Sequence, residues 1–140
     1  MLILPTSVFL PDGPLVQTIR ARLPEAFSVY AFGSRMNATA SAQSDLDLAV
    51  LVPGYVPPLA LWDLSSVLAN LVQCPVDLVD LRAASTVMQF QILTTGRVLW
   101  SCGLKADLFE TYVLSEKLDL DYARVGLLED IARNGRIYAR

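Results

Sequence analysis

The chain has 140 residues, a length that suits one domain with one hydrophobic core. Hydrophobic residues make up 54% of it and charged residues 18%, which excludes a disordered chain and indicates more apolar surface than a small monomer hides. The net charge of −3 gives no support for a general nucleic-acid binder, and the absence of histidine excludes Ser-His-Asp catalysis, Cys-His catalysis and histidine metal clusters.

The two cysteines, Cys74 and Cys102, form no CxxC pair. Neither a disulfide framework nor a structural zinc site is therefore expected, and we favour a reducing, cytoplasmic compartment. The apolar residues 1–5 lack the basic leader and long apolar core of a signal peptide. The sequence contains no uncharged apolar run of about 18 residues, so it predicts no membrane span.

The hydrophobic pattern predicts alternating helices and strands. Their order predicts an α/β or α+β fold, with helices packed on a sheet and further helices at the C-terminus. The predicted elements, in chain order, are a helix over 14–23, a strand over 27–32, a short helix after Gly33, a strand over 45–52, a helix opened by Pro57-Pro58, a strand over 76–81, a helix over 84–95 that Gly96 ends, an edge strand over 97–100, and one or two helices over about 104–134.

Apolar residues at helical spacing identify the faces that should pack inward, and Asp12 is a candidate N-cap of the first helix. The inward residues are Leu15, Ile19 and Leu23 in the first helix, Leu61, Leu64, Leu68 and Leu71 in the helix after Pro58, and Met88 and Ile92 in the next. A further set in the C-terminal segment is either core or a docking surface, and consists of Leu104, Leu108, Tyr112, Val125, Leu128 and Ile131.

Two carboxylates lie at the start of the second predicted strand. Residues i and i+2 of a strand point to the same face, so Asp45 and Asp47 project together while Leu46 and Leu48 face the core. Two carboxylates held this close repel each other unless a cation lies between them. Mg²⁺ prefers oxygen ligands and usually completes its shell with water and substrate phosphates. The pair therefore predicts a site for one or two Mg²⁺ ions.

The neighbouring strand offers a third acid, because adjacent strands lie about 4.8 Å apart. Asp77 and Asp80 are the candidates, and their odd separation places them on opposite faces, so only one can join. Asp77 is favoured since it comes early in its strand, as Asp45 does. It could complete a two-metal site and accept a proton from an attacking hydroxyl.

Gly33, Ser34 and Arg35 follow the first predicted strand and suit a phosphate. Glycine lets the backbone approach a phosphate closely. Ser34 stands at a predicted helix start, where free amides and the helix dipole attract anions, and its hydroxyl can donate to the triphosphate. Arg35 could add a cation there.

Taken singly, each feature has a structural explanation: a Gly-Ser turn, an acid that ends a strand, an exposed polar strand edge, a solvated loop arginine. The combination is different. With background frequencies near 5–7% per residue, the spaced Gly-Ser and Asp-x-Asp pattern occurs by chance with odds on the order of 10⁻³ in a chain of this length.

Phe32-Gly33-Ser34-Arg35 and the segment from Ser44 to Leu51 resemble the signature of the DNA polymerase β-like nucleotidyltransferases. The short length, the strand over 76–81 and the segment Gly96-Arg-Val-Leu-Trp100 resemble the minimal nucleotidyltransferases, the MntA-type antitoxins paired with HEPN-domain toxins. The resemblance covers roughly 14–101. It implies a nucleotidyltransferase fold with a mixed β-sheet, as a single domain over 1–140 with its catalytic core over about 14–101 and a helical part over about 104–134.

The resemblance also implies an activity. Two Mg²⁺ ions held by the acids would bind ATP, and AMP would pass to a tyrosine of a cognate HEPN (HepT-type) ribonuclease toxin, which is thereby silenced. By matching positions, Ser34 would hold the triphosphate, Asp45 and Asp47 would bind metal, and Asp77 would be the third acid. The implied assembly is a hetero-oligomer with the toxin, without direct nucleic-acid binding or membrane association.

One departure from the family and two alternative functions stand beside this hypothesis. Asn37-Ala38 replace an Arg-Gly pair that many minimal members carry, so the loop would bind the nucleotide differently. The chain could instead neutralise the toxin by covering it, with the acids as remnants. A third reading is a small-molecule adenylyltransferase that works as an oligomer.

Overall fold

The computed structural model describes residues 6–33 and 45–134, so the predicted short helix after Gly33 and the Asn37-Ala38 departure lie outside the described residues. Short 3₁₀ helices occur at Thr6–Phe9 and Leu81–Ala83. The longer elements are helices α1 (Pro14–Arg22), α2 (Pro58–Val72), α3 (Thr86–Thr95) and α4 (Leu104–Asn134), and strands β1 (Ser28–Phe32), β2 (Leu46–Leu51), β3 (Val76–Asp80) and β4 (Arg97–Ser101).

The four strands form one mixed sheet in the order β3-β2-β1-β4. β1 runs antiparallel to both β2 and β4, whereas β2 and β3 are parallel and are joined by the crossover helix α2. The β1–β4 pairing contains an irregularity between Val29 and Tyr30. The mixed sheet and the edge position of β4 confirm the prediction from sequence.

Helices cover both faces of the sheet, and β2 shows this most clearly. Its odd-numbered and even-numbered residues alternate between two apolar clusters, so the strand is buried on both sides. One cluster joins Leu46, Leu48 and Val50 to α1 and α2. The other joins Ala49 and Leu51 to α3 and α4. Asp47 has the parity of the second set and therefore points to the face that carries α3 and α4.

Two details of the first helices differ from the sequence predictions. The N-cap of α1 is Gly13, which has no side chain that could cap the helix, and Pro14 follows it in the first turn; Asp12 is not the N-cap. In α2 the inward row continues from Leu68 to Val72, at a spacing of four residues, so Leu71 is exposed and not buried.

The C-terminal segment is one helix of 31 residues. Its first half packs on the sheet through Ala106, Phe109 and Val113. The buried Tyr30 hydroxyl donates to Glu110 Oε1 at 3.1 Å and accepts from Ser28 Oγ at 3.0 Å, which ties α4 to β1. Burial, with the Glu110 charge acting in the same direction, raises the pKa of Tyr30, so its hydroxyl stays protonated.

The predicted C-terminal apolar set is not core. All of its members except the partly exposed Ile131 are exposed: Leu104, Leu108, Tyr112, Val125 and Leu128. The first three lie one or two positions from a buried residue of α4, and the others follow Val113, the last buried residue described in the helix. Charged residues occur along the whole length of α4. No helix in the described part of the chain is long and apolar enough to cross a bilayer.

Candidate active site

Three acidic residues meet where β1 ends and β2 and β3 begin. In the antiparallel β1–β2 pair, Phe32 stands opposite Asp47. In the parallel β2–β3 pair, Asp47 stands opposite Asp77. Paired residues point to the same face of a sheet, so these two carboxylates are neighbours on the face that carries α3 and α4. Asp45 lies one residue before β2 and is exposed, as Asp77 is.

Gly33 lies against this group. Its φ of +80° is a conformation that side-chain-bearing residues rarely adopt. A Cβ atom built on Gly33 would collide with Oδ2 of Asp47, and it would lie 3.0 Å from Cγ of the same residue. The glycine is therefore required for the turn and also for the close approach of the Asp47 carboxylate. The sequence pattern indicated the turn, but not this contact.

The pKa of the Asp47 carboxyl is affected by the other two acids, Asp45 and Asp77. Partial burial raises the pKa of the Asp47 carboxyl above its ordinary value, and the negative charges of Asp77 and Asp45 raise it further. A cation placed among the three carboxylates would reverse this effect, because opposite charge favours the ionised form. The site therefore favours a positively charged ligand.

The donor set fits Mg²⁺. All three side chains are carboxylates, and Mg²⁺ takes oxygen ligands and is commonly held by one or two carboxylates together with water and substrate phosphates. Within residues 6–33 and 45–134, no three His, Cys, Asp or Glu side chains form a preassembled metal-binding group.

Asp80 has a different place from the three acids. It pairs with Val50, three positions along β3 from Asp77, which corresponds to roughly 10 Å of strand. Its side chain is buried, and its Oδ2 accepts a hydrogen bond of 2.8 Å from the backbone N–H of Val56. Asp80 therefore holds the loop after β2, and the structure brings Asp77, not Asp80, beside Asp47.

Ser34 and Arg35, the candidate triphosphate contacts, lie outside the described residues. Gly33, directly before them, is exposed at the end of β1, on the same edge of the sheet as the acids.

Comparison with known proteins agrees with this geometry. The family model for polymerase β nucleotidyltransferases matches residues 16–102. The protein adenylyltransferase MntA of Shewanella oneidensis is 34% identical over 125 residues, which are 89% of this chain and 90% of that protein.

Solved structures of similar chains share the fold. A crystal structure of a toxin–antitoxin with AMP-PNP superposes with a TM-score of 0.74 at 34% identity, covering 84% of this chain and 95% of that one. The MNT antitoxin in complex with tri-AMPylated HEPN toxin of Shewanella oneidensis superposes with a TM-score of 0.69 at 32% identity, covering 84% and 92%. The chain therefore belongs to the polymerase β nucleotidyltransferase family and, within it, to the minimal nucleotidyltransferases related to MntA.

Proposed function

We propose that this chain is a Mg²⁺-dependent protein adenylyltransferase that acts as an antitoxin, transferring AMP from ATP to a tyrosine hydroxyl of a cognate HEPN-domain toxin. The observation that carries the proposal is the convergence of Asp45, Asp47 and Asp77 beside Gly33. The relatives support the reaction class, since one is a protein adenylyltransferase and another accompanies an AMPylated HEPN toxin. Such a partner implies a hetero-oligomer, and we place this assembly in the cytoplasm because the chain has two cysteines without CxxC spacing.

In this proposal the three acids have different roles. Asp45 and Asp47 hold the metal ions, and Asp77 supplies a further ligand. Bound Mg²⁺ would neutralise the triphosphate and polarise its α-phosphorus. Gly33 keeps the turn open for the Asp47 carboxylate. Ser34 and Arg35, which follow it, are assigned to the β- and γ-phosphates, because a helix start and a cation both attract anions.

The chemical step is a substitution at the α-phosphorus. The tyrosine oxygen forms a new bond to this phosphorus while the bond to the bridging oxygen breaks, and pyrophosphate leaves with that electron pair. The phenolic proton passes to Asp77, the carboxylate on the edge strand and exposed to an incoming acceptor. AMP is then joined to the acceptor by a phosphodiester bond.

The test is label transfer from ATP to the cognate HEPN-domain protein by wild type and Asp47→Ala, with Mg²⁺ present. We expect transfer to be abolished in this variant with an unchanged circular dichroism spectrum. Asp63→Ala is the matched control, because Asp63 is an exposed aspartate on α2, and it should transfer AMP at the wild-type rate. Transfer by Asp47→Ala at the parental rate would show that the site assignment is wrong.

A second candidate, neutralisation by binding alone, is favoured by the exposed apolar residues of α4. A double variant, Asp45→Asn with Asp47→Asn, separates the two functions. Neutralisation of the toxin by this variant would support binding alone. Loss of neutralisation with an intact complex would support AMP transfer.

A further inference from the structure

An apolar groove lies between the start of α4 and the end of the sheet that is remote from the acids. It has a volume of about 380 Å³ and is lined by Phe27, Arg82, Lys105, Leu108, Phe109 and Tyr112. Phe27 donates its backbone N–H to Leu51, the last residue of β2, so the groove is roughly 13 Å of strand away from Asp47. It is thus a separate place from the active site.

The groove wall formed by α4 is apolar and turned to solvent. Leu104, Leu108 and Tyr112 recur every four residues and form one row on the helix. Their side chains are 72%, 60% and 57% exposed, values that are unusual for three consecutive members of an apolar row. No element of the described structure covers this apolar row. Exposed apolar grooves of this kind bind the apolar face of an amphipathic helix in other proteins.

Two cations give the groove its charge. The Arg82 guanidinium carbon lies 5.0 Å from the centre of the Phe109 ring, and Lys105 Nζ lies 5.3 Å from the centre of the Phe27 ring. Arg82 Nε also donates to the carbonyl of Val52. Among the described residues, neither cation has a carboxylate within ion-pair distance. The groove therefore combines apolar walls with two positive charges that form no ion pair with an acid of the described residues.

A second depression of about 440 Å³ adjoins the groove and shares Phe27 and Lys105 with it. Glu25 and Leu104 line its far side. The combined surface thus has positive charge at the Arg82 side and one negative charge at the Glu25 side. A ligand that covers it needs apolar residues along its length and an acid at the end that meets Arg82.

We propose that this groove is the docking site for an amphipathic helix of the acceptor protein, with Asp or Glu beside its apolar face. The argument is charge complementarity. A second copy of this chain would place Arg82 and Lys105 against the same two cations if the groove paired with itself, which is unfavourable. The inference rests on the proposed function, because it assigns the partner of the same reaction to a surface.

Binding of the cognate HEPN-domain protein to full-length variants tests the proposal by titration calorimetry. We expect Leu108→Asp and Lys105→Glu each to weaken binding by about tenfold or more, and Lys105→Arg to retain it. Leu59→Asp on α2 is the matched control, since Leu59 is 79% exposed and lies outside the groove, and its affinity should stay within about twofold. Loss of affinity in Leu59→Asp with normal affinity in the groove variants would overturn the proposal.

Photo-crosslinking identifies the occupant. With benzoylphenylalanine in place of Leu108, we expect a crosslink to a helix of the HEPN-domain protein that carries Asp or Glu. A crosslink to a second copy of this chain, or to a partner segment without acids, would overturn the assignment.

Kinetics separate this proposal from the proposed function. In AMP transfer, groove variants should raise the KM for the protein acceptor and leave kcat unchanged, whereas Asp47→Ala removes kcat. Binding that depends on the groove without any AMP transfer by wild type would defeat the proposed function alone. AMP transfer with unchanged KM in the groove variants would defeat the docking site alone.

Discussion

Gly33 and Asp47 are in close contact: a Cβ atom added to the glycine would collide with Oδ2 of the Asp47 carboxylate and displace it. The two residues come from the end of β1 and the start of β2, and the antiparallel register that sets Phe32 opposite Asp47 brings them together. Gly33 of the sequence motif therefore helps to position the Asp47 carboxylate.

Gly33→Ala should displace the Asp47 carboxylate and reduce AMP transfer by about 100-fold or more, because small misplacements of a catalytic group carry costs of this size. The positive φ adds a loss of about 1–2 kcal/mol in the free energy of unfolding. Gly54→Ala is the control, since Gly54 has a φ of +84° and nothing within 4 Å of an added Cβ. It should lose the same stability and keep its activity. Equal activity in the two variants would show that the contact with Asp47 does not matter.

Asp77→Ala and Asp80→Ala should have opposite effects. The first removes an exposed acid beside Asp47, so we expect loss of AMP transfer without loss of stability. The second leaves the buried N–H of Val56 without its acceptor, which costs about 1–3 kcal/mol of unfolding free energy. Its folded fraction should transfer AMP normally. Urea denaturation and label transfer measure the two effects, and full activity in Asp77→Ala would exclude Asp77 as the third acid.

Tyr30→Phe should destabilise the fold without touching the active site. The hydroxyl makes hydrogen bonds to Ser28 and Glu110, and the phenol ring is 1% exposed. Their loss should lower the unfolding free energy by about 1–3 kcal/mol, because buried partners are left unsatisfied. The control is Tyr122→Phe, at a tyrosine that is 74% exposed, with an expected change within about 0.5 kcal/mol. Chemical denaturation compares them, and equal midpoints would mean that the bond to α4 adds no stability.

The raised pKa of Asp47 predicts how stability depends on pH when no Mg²⁺ is present. The folded chain holds the Asp47 proton to a higher pH than the unfolded chain does, so this group favours folding below the ordinary value of 3.8. As the pH rises through the folded pKa, ionisation beside Asp77 and Asp45 removes that contribution. Asp47→Asn should therefore have the higher Tm at pH 7 in EDTA.

Thermal denaturation of wild type and Asp47→Asn between pH 4 and pH 8 tests this pH dependence. Added Mg²⁺ should raise the Tm of wild type and have less effect on the variant, because a bound cation relieves the repulsion. A variant that melts below wild type at pH 7 in EDTA would contradict the predicted repulsion.

The sheet and the acid group could be predicted because both follow from local rules. Period-two alternation placed Asp45 and Asp47 on one face, and the odd spacing of Asp77 and Asp80 separated those two. The pairing of Asp47 with Asp77 follows from a parallel register that a single sequence does not encode locally. For the same reason the contact between Gly33 and Asp47 appears only once β1 and β2 are paired.

Helix faces were less predictable where apolar residues outnumber buried positions. In α2 both Leu71 and Val72 suit the core, and the spacing of four residues from Leu68 decides for Val72. In α4 the apolar residues occur all round the helix, so periodicity could not identify Phe109 and Val113 as the buried pair. The packing of α4 against α3 and over Tyr30 of β1 determines which side is inward.

The outer position of β3 has a mechanical consequence for catalysis. Within the described sheet, Asp77 belongs to an edge strand that pairs with β2 alone, whereas Asp47 belongs to a strand that pairs with a neighbour on both sides. Small local openings of the edge strand β3 would move Asp77 and change the distance between the two carboxylates, while Asp47 stays in place. In the proposed site, Asp47 would then be the fixed carboxylate and Asp77 the more mobile one, which would let the pair accommodate small changes in geometry during AMP transfer without unfolding the rest of the sheet.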